Sequence, residues 1–339
     1  MKRKHTSLKD LAKELGVSIS TISRGLKNHP DISPKLAEQI QKLAEQKKYS
    51  PNPQAVGLLR HESKTIGVIV PDLVTYFYSS VISGIEKFAK ERGYFIVITT
   101  SNEEFENEKK CVTELVNLRV DGLIVCLAQN TVNYSHFDVL IEEEIPLVFF
   151  DRVCRTSEVS SVVADNIEAA CAITLHFFNS GKRNIAHIAG PKELNITQER
   201  IAGYLDGLKE CGLKFRNEYL VYSDLSLESA ALATRKLIDL PNRPDAIFGV
   251  NDTVAFSAMK EIKKANLNIP NDIALVGFTD EFHATVVEPS LTSVMHPTFE
   301  MGNEACRLLI EQIESPLPFT PRQVVMKTKL VVRESSVRT

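Results

Sequence analysis

The chain has 339 residues, 43% hydrophobic and 24% charged, with a net charge of −3. That is too long for one ordinary core, so two or three folding units are expected. No run approaches the ~18 uninterrupted apolar residues of a membrane span, and the polar stretch after Met1-Lys2-Arg3-Lys4-His5 is the wrong pattern for a secretory leader.

A cytoplasmic protein is therefore expected. The six cysteines (Cys111, Cys126, Cys154, Cys171, Cys211, Cys306) form no Cys-x-x-Cys pair and mostly sit in apolar company. They read as reduced core thiols, with no metal site and no cofactor. Charge is unevenly divided. Residues 1–64 carry 13 Lys/Arg against six Asp/Glu, a net +7, which leaves −10 on the remainder. A basic head on an acidic body suits a chain whose one end meets a polyanion. A merely solvated basic tail need not be periodic, and this head is.

Ser7-Leu8-Lys9-Asp10 has the form of a capping box, and Leu8, Leu11, Ala12 and Leu15 follow at helical spacing. Gly16 supplies the left-handed residue of a sharp turn. Ser18 caps a second helix to about Leu26, with Ile22 and Leu26 inward. Ser33 and Pro34 open a third, burying Leu36, Ile40 and Leu43. Two short helices about a Gly turn with a third beneath make a helix-turn-helix over residues 1–48. Ile19, Ser20, Thr21, Ser23 and Arg24 are left over after core assignment. They are either plain exposed helix residues or, given the charge, hydroxyls and a guanidinium aimed at bases and phosphates.

Residues 49–63 read as a linker. Asn52 and Pro53 start a short helix, but Gly57 within it costs about 1 kcal/mol relative to Ala. A helix this short is marginal alone. It is expected to form when a partner chain and DNA support it, with the adjacent Leu58 and Leu59 packing or wedging between base steps.

From Lys64 strand-like and helical runs alternate. The strands are Thr65–Val70, Phe95–Thr99, Gly122–Val125, Pro146–Phe150, Ile185–Ala189, Ala246–Val250 and Ile273–Gly277, with helices following to about Arg92 and over Glu104–Leu118. This predicts an α/β body of two doubly wound parallel-sheet lobes with helices on both faces. Ligands of such sheets bind beyond the carboxyl ends of the strands. The loops to watch are therefore Thr75–Tyr78, Asp151, Pro191–Arg200, Asn251-Asp252 and Thr279-Asp280.

Motifs along nearly the whole chain resemble the LacI/GalR family of transcription regulators. They include Leu8-Lys9-Asp10-Leu11-Ala12, Gly16-Val17-Ser18, Thr21-Ile22-Ser23-Arg24, Tyr49-Ser50-Pro51-Asn52 and Leu58-Leu59-Arg60 in the head. In the body they include Gly84-Ile85-Glu86, Val120-Asp121-Gly122, Arg200-Ile201-Ala202-Gly203-Tyr204, Asn251-Asp252, Val276-Gly277-Phe278 and Pro289-Ser290-Leu291-Thr292. The resemblance implies periplasmic-binding-protein-like lobes, a homodimer, a roughly palindromic double-stranded DNA operator and a small-molecule effector, a sugar or related metabolite in the family's usual pattern. Lobe 1 would comprise 64–164 and 297–323, and lobe 2 165–294 and 324–339. Base-reading positions fall on Ile19, Ser20 and Arg24, with Ser18, Thr21 and Ser23 beside them. The minor-groove leucine falls on Leu58, while Val56 stands where the family usually has a hinge Arg.

Effector positions carry over onto Phe77, Tyr78, Asp151, Ile196, Arg200, Leu225, Asn251 and, at the lobe crossover, His296. Each has a plainer alternative: an inter-lobe ion pair for Arg200, packing for Phe77 and Tyr78, a crossover role for His296. The family's paired acids after Val-Gly-aromatic appear here as Thr279-Asp280, which removes a carboxylate that usually meets the ligand. An effector poorer in hydroxyls than a plain hexose, or one held differently, is the expectation. A transporter's solute-binding protein shares the two-lobe body but not the basic head. No Gly-x-Gly-x-x-Gly, phosphate loop, His-Glu-x-x-His or Gly-x-Ser-x-Gly points to an enzyme. No leucine-heptad tail follows Ser336, so a dimer rather than a tetramer is expected.

Overall fold

The computed structural model describes residues 6–49, 63–154, 158–315 and 319–337. The chain divides into two compact units, one through Ser63 and one from Lys64. In the first, α1 (Leu8–Leu15) starts with a reciprocal capping box. The Ser7 hydroxyl oxygen accepts from the Asp10 amide at 3.3 Å, and the Asp10 carboxylate accepts from the Ser7 amide at 2.9 Å. Gly16 follows at φ 66°. Next come α2 (Ile19–Leu26) and α3 (Pro34–Gln46), capped by Ser18 and Ser33. Their shared core is Leu11, Ala12, Ile22, Ile40, Leu43 and Ala44. Leu26 and Leu36, expected inside, are half-buried and pack against that core, and Gly25 lets α2 approach α3 so closely that a Cβ there would lie 2.4 Å from Ile40 Cδ1. The linker helix expected at 52–60, with Val56 and Leu58, lies outside the described residues.

The second unit holds two six-stranded sheets. The first contains β1 (Thr65–Val70), β2 (Phe95–Thr100), β3 (Gly122–Val125), β4 (Leu147–Phe150) and β5 (Ser160–Ala164). The helices of that run are α4 (Tyr76–Glu91), α5 (Phe105–Asn117) and the short α6 (Asp138–Glu142). The second sheet is built from α7 (Asn166–Asn179), β6 (Ile185–Ala189), α8 (Asn195–Glu210), β7 (Leu220–Tyr222), α9 (Leu227–Ile238), β8 (Ala246–Gly249), α10 (Asp252–Lys264), β9 (Ala274–Thr279) and β10 (Thr292–Met295). The chain then returns through α11 (Thr298–Glu314) and β11 (Gln323–Met326) to the first sheet, and ends with β12 (Lys329–Val331) on the second.

Strand order is β11-β5-β4-β3-β1-β2 in one sheet and β12-β10-β9-β8-β6-β7 in the other; every pairing is parallel except β10 with β12. Each sheet is buried on both faces. Alternate residues of β4 show it: Val148 and Phe150 enter the core under α4 and α11, while Leu147 and Phe149 enter the opposite one. Reciprocal glycines bring α4 and α11 together. A Cβ on Gly84 would lie 2.0 Å from the Phe299 carbonyl oxygen, and one on Gly302 2.0 Å from that of Val81.

One expected boundary moves. Val324, Val325 and Met326 pair with Val162, Val163 and Ala164, so the final crossover lies after Met326 and not at residue 323. The β-branched run Gln323–Met326 extends an edge of the first sheet, and only Lys329–Val331 reaches the second.

Candidate functional site

On the first unit, α2 carries an outward polar face. Ser18 is its cap, its oxygen accepting from the Thr21 amide at 3.1 Å. The same hydroxyl lies 2.7 Å from Ser20 Oγ and 2.8 Å from Thr21 Oγ1. Ile19, Ser20 and Arg24 are exposed, and Thr21 and Ser23 half-buried. Arg24 meets Asp31 at 3.4 Å, with both side chains more than half exposed. Such a pair contributes little and leaves the guanidinium accessible.

In the second unit the strand ends of both lobes face one cavity, with about 70 Å³ open to the centres of water-sized molecules. Phe77, Tyr78, Asp151, Ile196, Arg200, Leu225, Asn251, Thr279 and His296 all line it. So do Thr75, Leu194, Thr197 and Asp252, which lie in the strand-end loops marked from the sequence, and Arg152 and Glu281, which lie outside them. Phe77 and Tyr78 come from the first turn of α4, and Asp151 and Arg152 follow β4. Ile196, Thr197 and Arg200 lie on α8, and Asn251 caps α10. The lobes also touch directly: the Asn195 side chain accepts from the Val153 amide at 3.2 Å and donates to the Asp151 carbonyl at 3.4 Å.

Three wall residues are held at positive φ: Asp151 (57°), Leu225 (70°) and Thr279 (130°). For a β-branched residue such as Thr279 this conformation is costly and needs its surroundings to enforce it. The enforcement is visible. The Thr279 carbonyl accepts from the His296 amide at 3.2 Å, and Asp280, also at positive φ, is locked to Arg333 at 2.6 Å.

Arg200 is only 4% exposed. Its Nε donates to Asn166 Oδ1 at 2.9 Å, its Nη1 to the Val250 carbonyl at 2.6 Å, and its Cζ lies over the Phe278 ring, 3.7 Å from the centroid. Burial lowers its pKa to about 10, so it is still charged at neutral pH. Arg152 is equally buried, its Nη1 donating to Glu103 at 2.7 Å and to the Leu127 carbonyl at 3.2 Å. Burial opposes its charge, but Tyr78 and Glu103 hold its pKa above the ordinary value. Burial pushes Asp151 upward, with Arg200 and Arg152 pulling the other way. His296 is brought down to about 3 by burial and by Arg200, and is therefore neutral. Asp252 is pushed up to about 7 by burial even though Ser293 Oγ and the Glu281 amide donate to it at 2.5 and 2.8 Å.

Among the described residues, Asp151 Oδ1, Arg152 Nε, Thr197 Oγ1 and His296 Nε2 are buried around this cavity without a hydrogen-bond partner. Buried polar atoms are nearly always paired, so this concentration marks a place built to meet polar groups from outside the chain. No group of three or more His, Cys, Asp or Glu among the described residues could hold a metal. No described helix is long and apolar enough to cross a membrane.

A helix-turn-helix followed by two parallel-sheet lobes around a polar cavity defines a regulator architecture on a periplasmic-binding-protein-like body. Residues 7–52 match the lacI family of bacterial regulatory proteins, and residues 174–336 the periplasmic binding protein-like domain. The chain is 30% identical over 333 residues to the HTH-type transcriptional repressor CytR of Escherichia coli (strain K12), covering 97% of this chain and 96% of that protein. It belongs to the LacI family. Among solved structures it is similar to a transcriptional regulator CelR–cellobiose complex, with 28% identity and TM-score 0.74 over 98% of this chain and all of that one. The lac repressor dimer bound to operator and the anti-inducer ONPF shares its fold, with TM-score 0.86 at 24% identity over 99% of this chain and all of that one.

Proposed function

We propose that the protein is a sequence-specific DNA-binding transcription repressor whose affinity for a roughly palindromic operator is set by a small metabolite held between the two lobes. The observation that carries this is the origin of the cavity's charged groups: Asp151 and Arg152 come from one lobe, Arg200 and Asp252 from the other. A ligand bonding to both sides favours one lobe arrangement over others, and only such differential affinity can shift an equilibrium. The readout is DNA affinity, with Ile19, Ser20 and Arg24 of α2 meeting base edges, Ser23 and Thr21 beside them, and Leu58 acting from the linker. The protein works as a cytoplasmic homodimer, and two copies of α2 read two half-sites. Its relatives are regulators, which supports a binding role for the cavity in place of catalysis. The cellobiose complex of a related regulator supports a carbohydrate or similar metabolite as the class.

The test is selection of bound fragments from genomic DNA with the full chain, followed by titration of the recovered site with and without candidate metabolites. One palindromic sequence should emerge, and the matching metabolite should change its affinity at least about fivefold. Arg200→Ala should abolish the metabolite's effect. Failure to enrich any sequence over bulk DNA sinks the proposal.

A further inference from the structure

The turn after β9 determines which acid faces the cavity. Thr279 and Asp280 are both at positive φ, and Asp280 is drawn off to Arg333. The chain then turns back, with the Glu281 amide donating to Asp252 Oδ2 at 2.8 Å and Glu281 among the residues lining the cavity. That side chain is 13% exposed, and its partner among the described residues is the exposed His283 at 3.4 Å. The carboxylate missing at Thr279 is thus replaced by one two residues later, which sequence spacing alone does not reveal.

We propose that Glu281 is the specificity-determining residue of the cleft, accepting hydrogen bonds from adjacent hydroxyls of a neutral, carbohydrate-like ligand where Thr279 offers no carboxylate. This rests on the reading of the cavity as the ligand site. Of the two expectations for the effector, it takes the second, a ligand held differently. A hydroxyl is both donor and acceptor. Glu281 and the unpartnered Asp151 Oδ1 take its protons, and Arg200 and Arg152 Nε supply protons to its oxygens. An anionic ligand would instead meet Asp151 and Glu281, while Arg152 is already engaged by Glu103. Phe77 supplies an apolar wall for the ring's C–H face.

Calorimetry with the full chain tests this, using D-glucose, D-galactose, D-xylose and cellobiose against D-glucuronate and D-galacturonate. At least one neutral sugar should bind, more tightly than any uronate. Glu281→Gln should weaken it about 10- to 100-fold, the worth of charge-assisted hydrogen bonds, with melting temperature and operator binding kept. Thr279→Asp added to Glu281→Gln should restore at least tenfold, and His283→Ala should leave affinity within threefold. Unchanged affinity in Glu281→Gln, tighter uronate binding, or binding of no neutral sugar overturns the proposal. If Arg200→Ala abolishes binding while Glu281→Gln does not, this inference alone fails. If a sugar binds and neither substitution matters, the cleft reading fails with it.

Discussion

Arg24 and Arg200 are guanidiniums that the structure treats oppositely. Arg24 stands on an exposed helix face, with 56% of its side chain in solvent and a loose ion pair to Asp31. Arg200 is 4% exposed, stacked on Phe278 and held by Asn166 and the Val250 carbonyl. The first costs the fold almost nothing to keep available. The second is charged in a place where charge is expensive, and the surrounding polar groups exist partly to permit it. A surface that reads a polyanion can be assembled late and cheaply. A cavity that discriminates among small molecules must be part of the core.

The largest consequence is for Arg200→Ala. It leaves the Asn166 and Val250 acceptors unpaired and Asp151 without its strongest compensating charge, so a loss of about 3–5 kcal/mol is expected in urea unfolding of the body. Arg200→Lys should not rescue it, because an ammonium cannot stack on Phe278 while donating through a planar fork. A loss below about 1 kcal/mol would mean that the cavity solvates Arg200, and the contrast with Arg24 would collapse.

Acid should act next. His296 and His187 have folded pKa values of about 3 and about 4, both depressed by burial from 6.5. An unfolded imidazole binds its proton first, so their contribution is complete above pH 6.5 and is lost as pH falls toward the folded values. By pH 5 each accounts for about 2 kcal/mol of lost stability. Asp252 opposes them. Its folded value of about 7 lies above the ordinary 3.8, so it favours the fold at low pH and loses that contribution as pH rises from about 4 to 7. Two imidazoles outweigh one carboxyl, and thermal stability should fall between pH 6.5 and 5. His296→Gln should flatten that slope and Asp252→Asn should steepen it. A slope unchanged by both would show that these groups are solvated.

How much of this was legible in the sequence follows from how local each cause is. The capping box at Ser7 and Asp10, the turn at Gly16 and the Pro34 start of α3 are written in a few adjacent residues, and the structure forms them there. Long β-branched runs such as Thr65–Val70 were equally readable. The short strands β5, β7, β10, β11 and β12 were not: unlike the equally short but apolar β3, β4 and β8, most of them mix polar and apolar residues with no distinctive period, and they depend on a neighbour's main chain. The nine effector positions came from strand-end loops and from family resemblance. Arg152 was missed although it lines the cavity beside Asp151, and Glu281 because nothing local reveals which residue of the turn after β9 lines the cavity. That depends on φ at Thr279 and on the partner awaiting Asp280.

The smallest effects test the cheap side of the comparison. Ser18→Ala removes the cap bond to the Thr21 amide and should cost the head about 1 kcal/mol. Arg24→Ala removes only an exposed ion pair and should leave stability within about 0.5 kcal/mol. Its effect belongs in the DNA titration. A bidentate base contact is worth about 1–3 kcal/mol of discrimination, so Arg24→Ala should weaken the selected operator by roughly 5- to 150-fold and relax preference at one base pair. Non-specific duplex should weaken far less, since one phosphate-independent contact leaves the salt dependence nearly intact. Equal losses on both duplexes, with a shallower salt slope, would make Arg24 a phosphate clamp, and base reading would then fall to Ile19 and Ser20 alone.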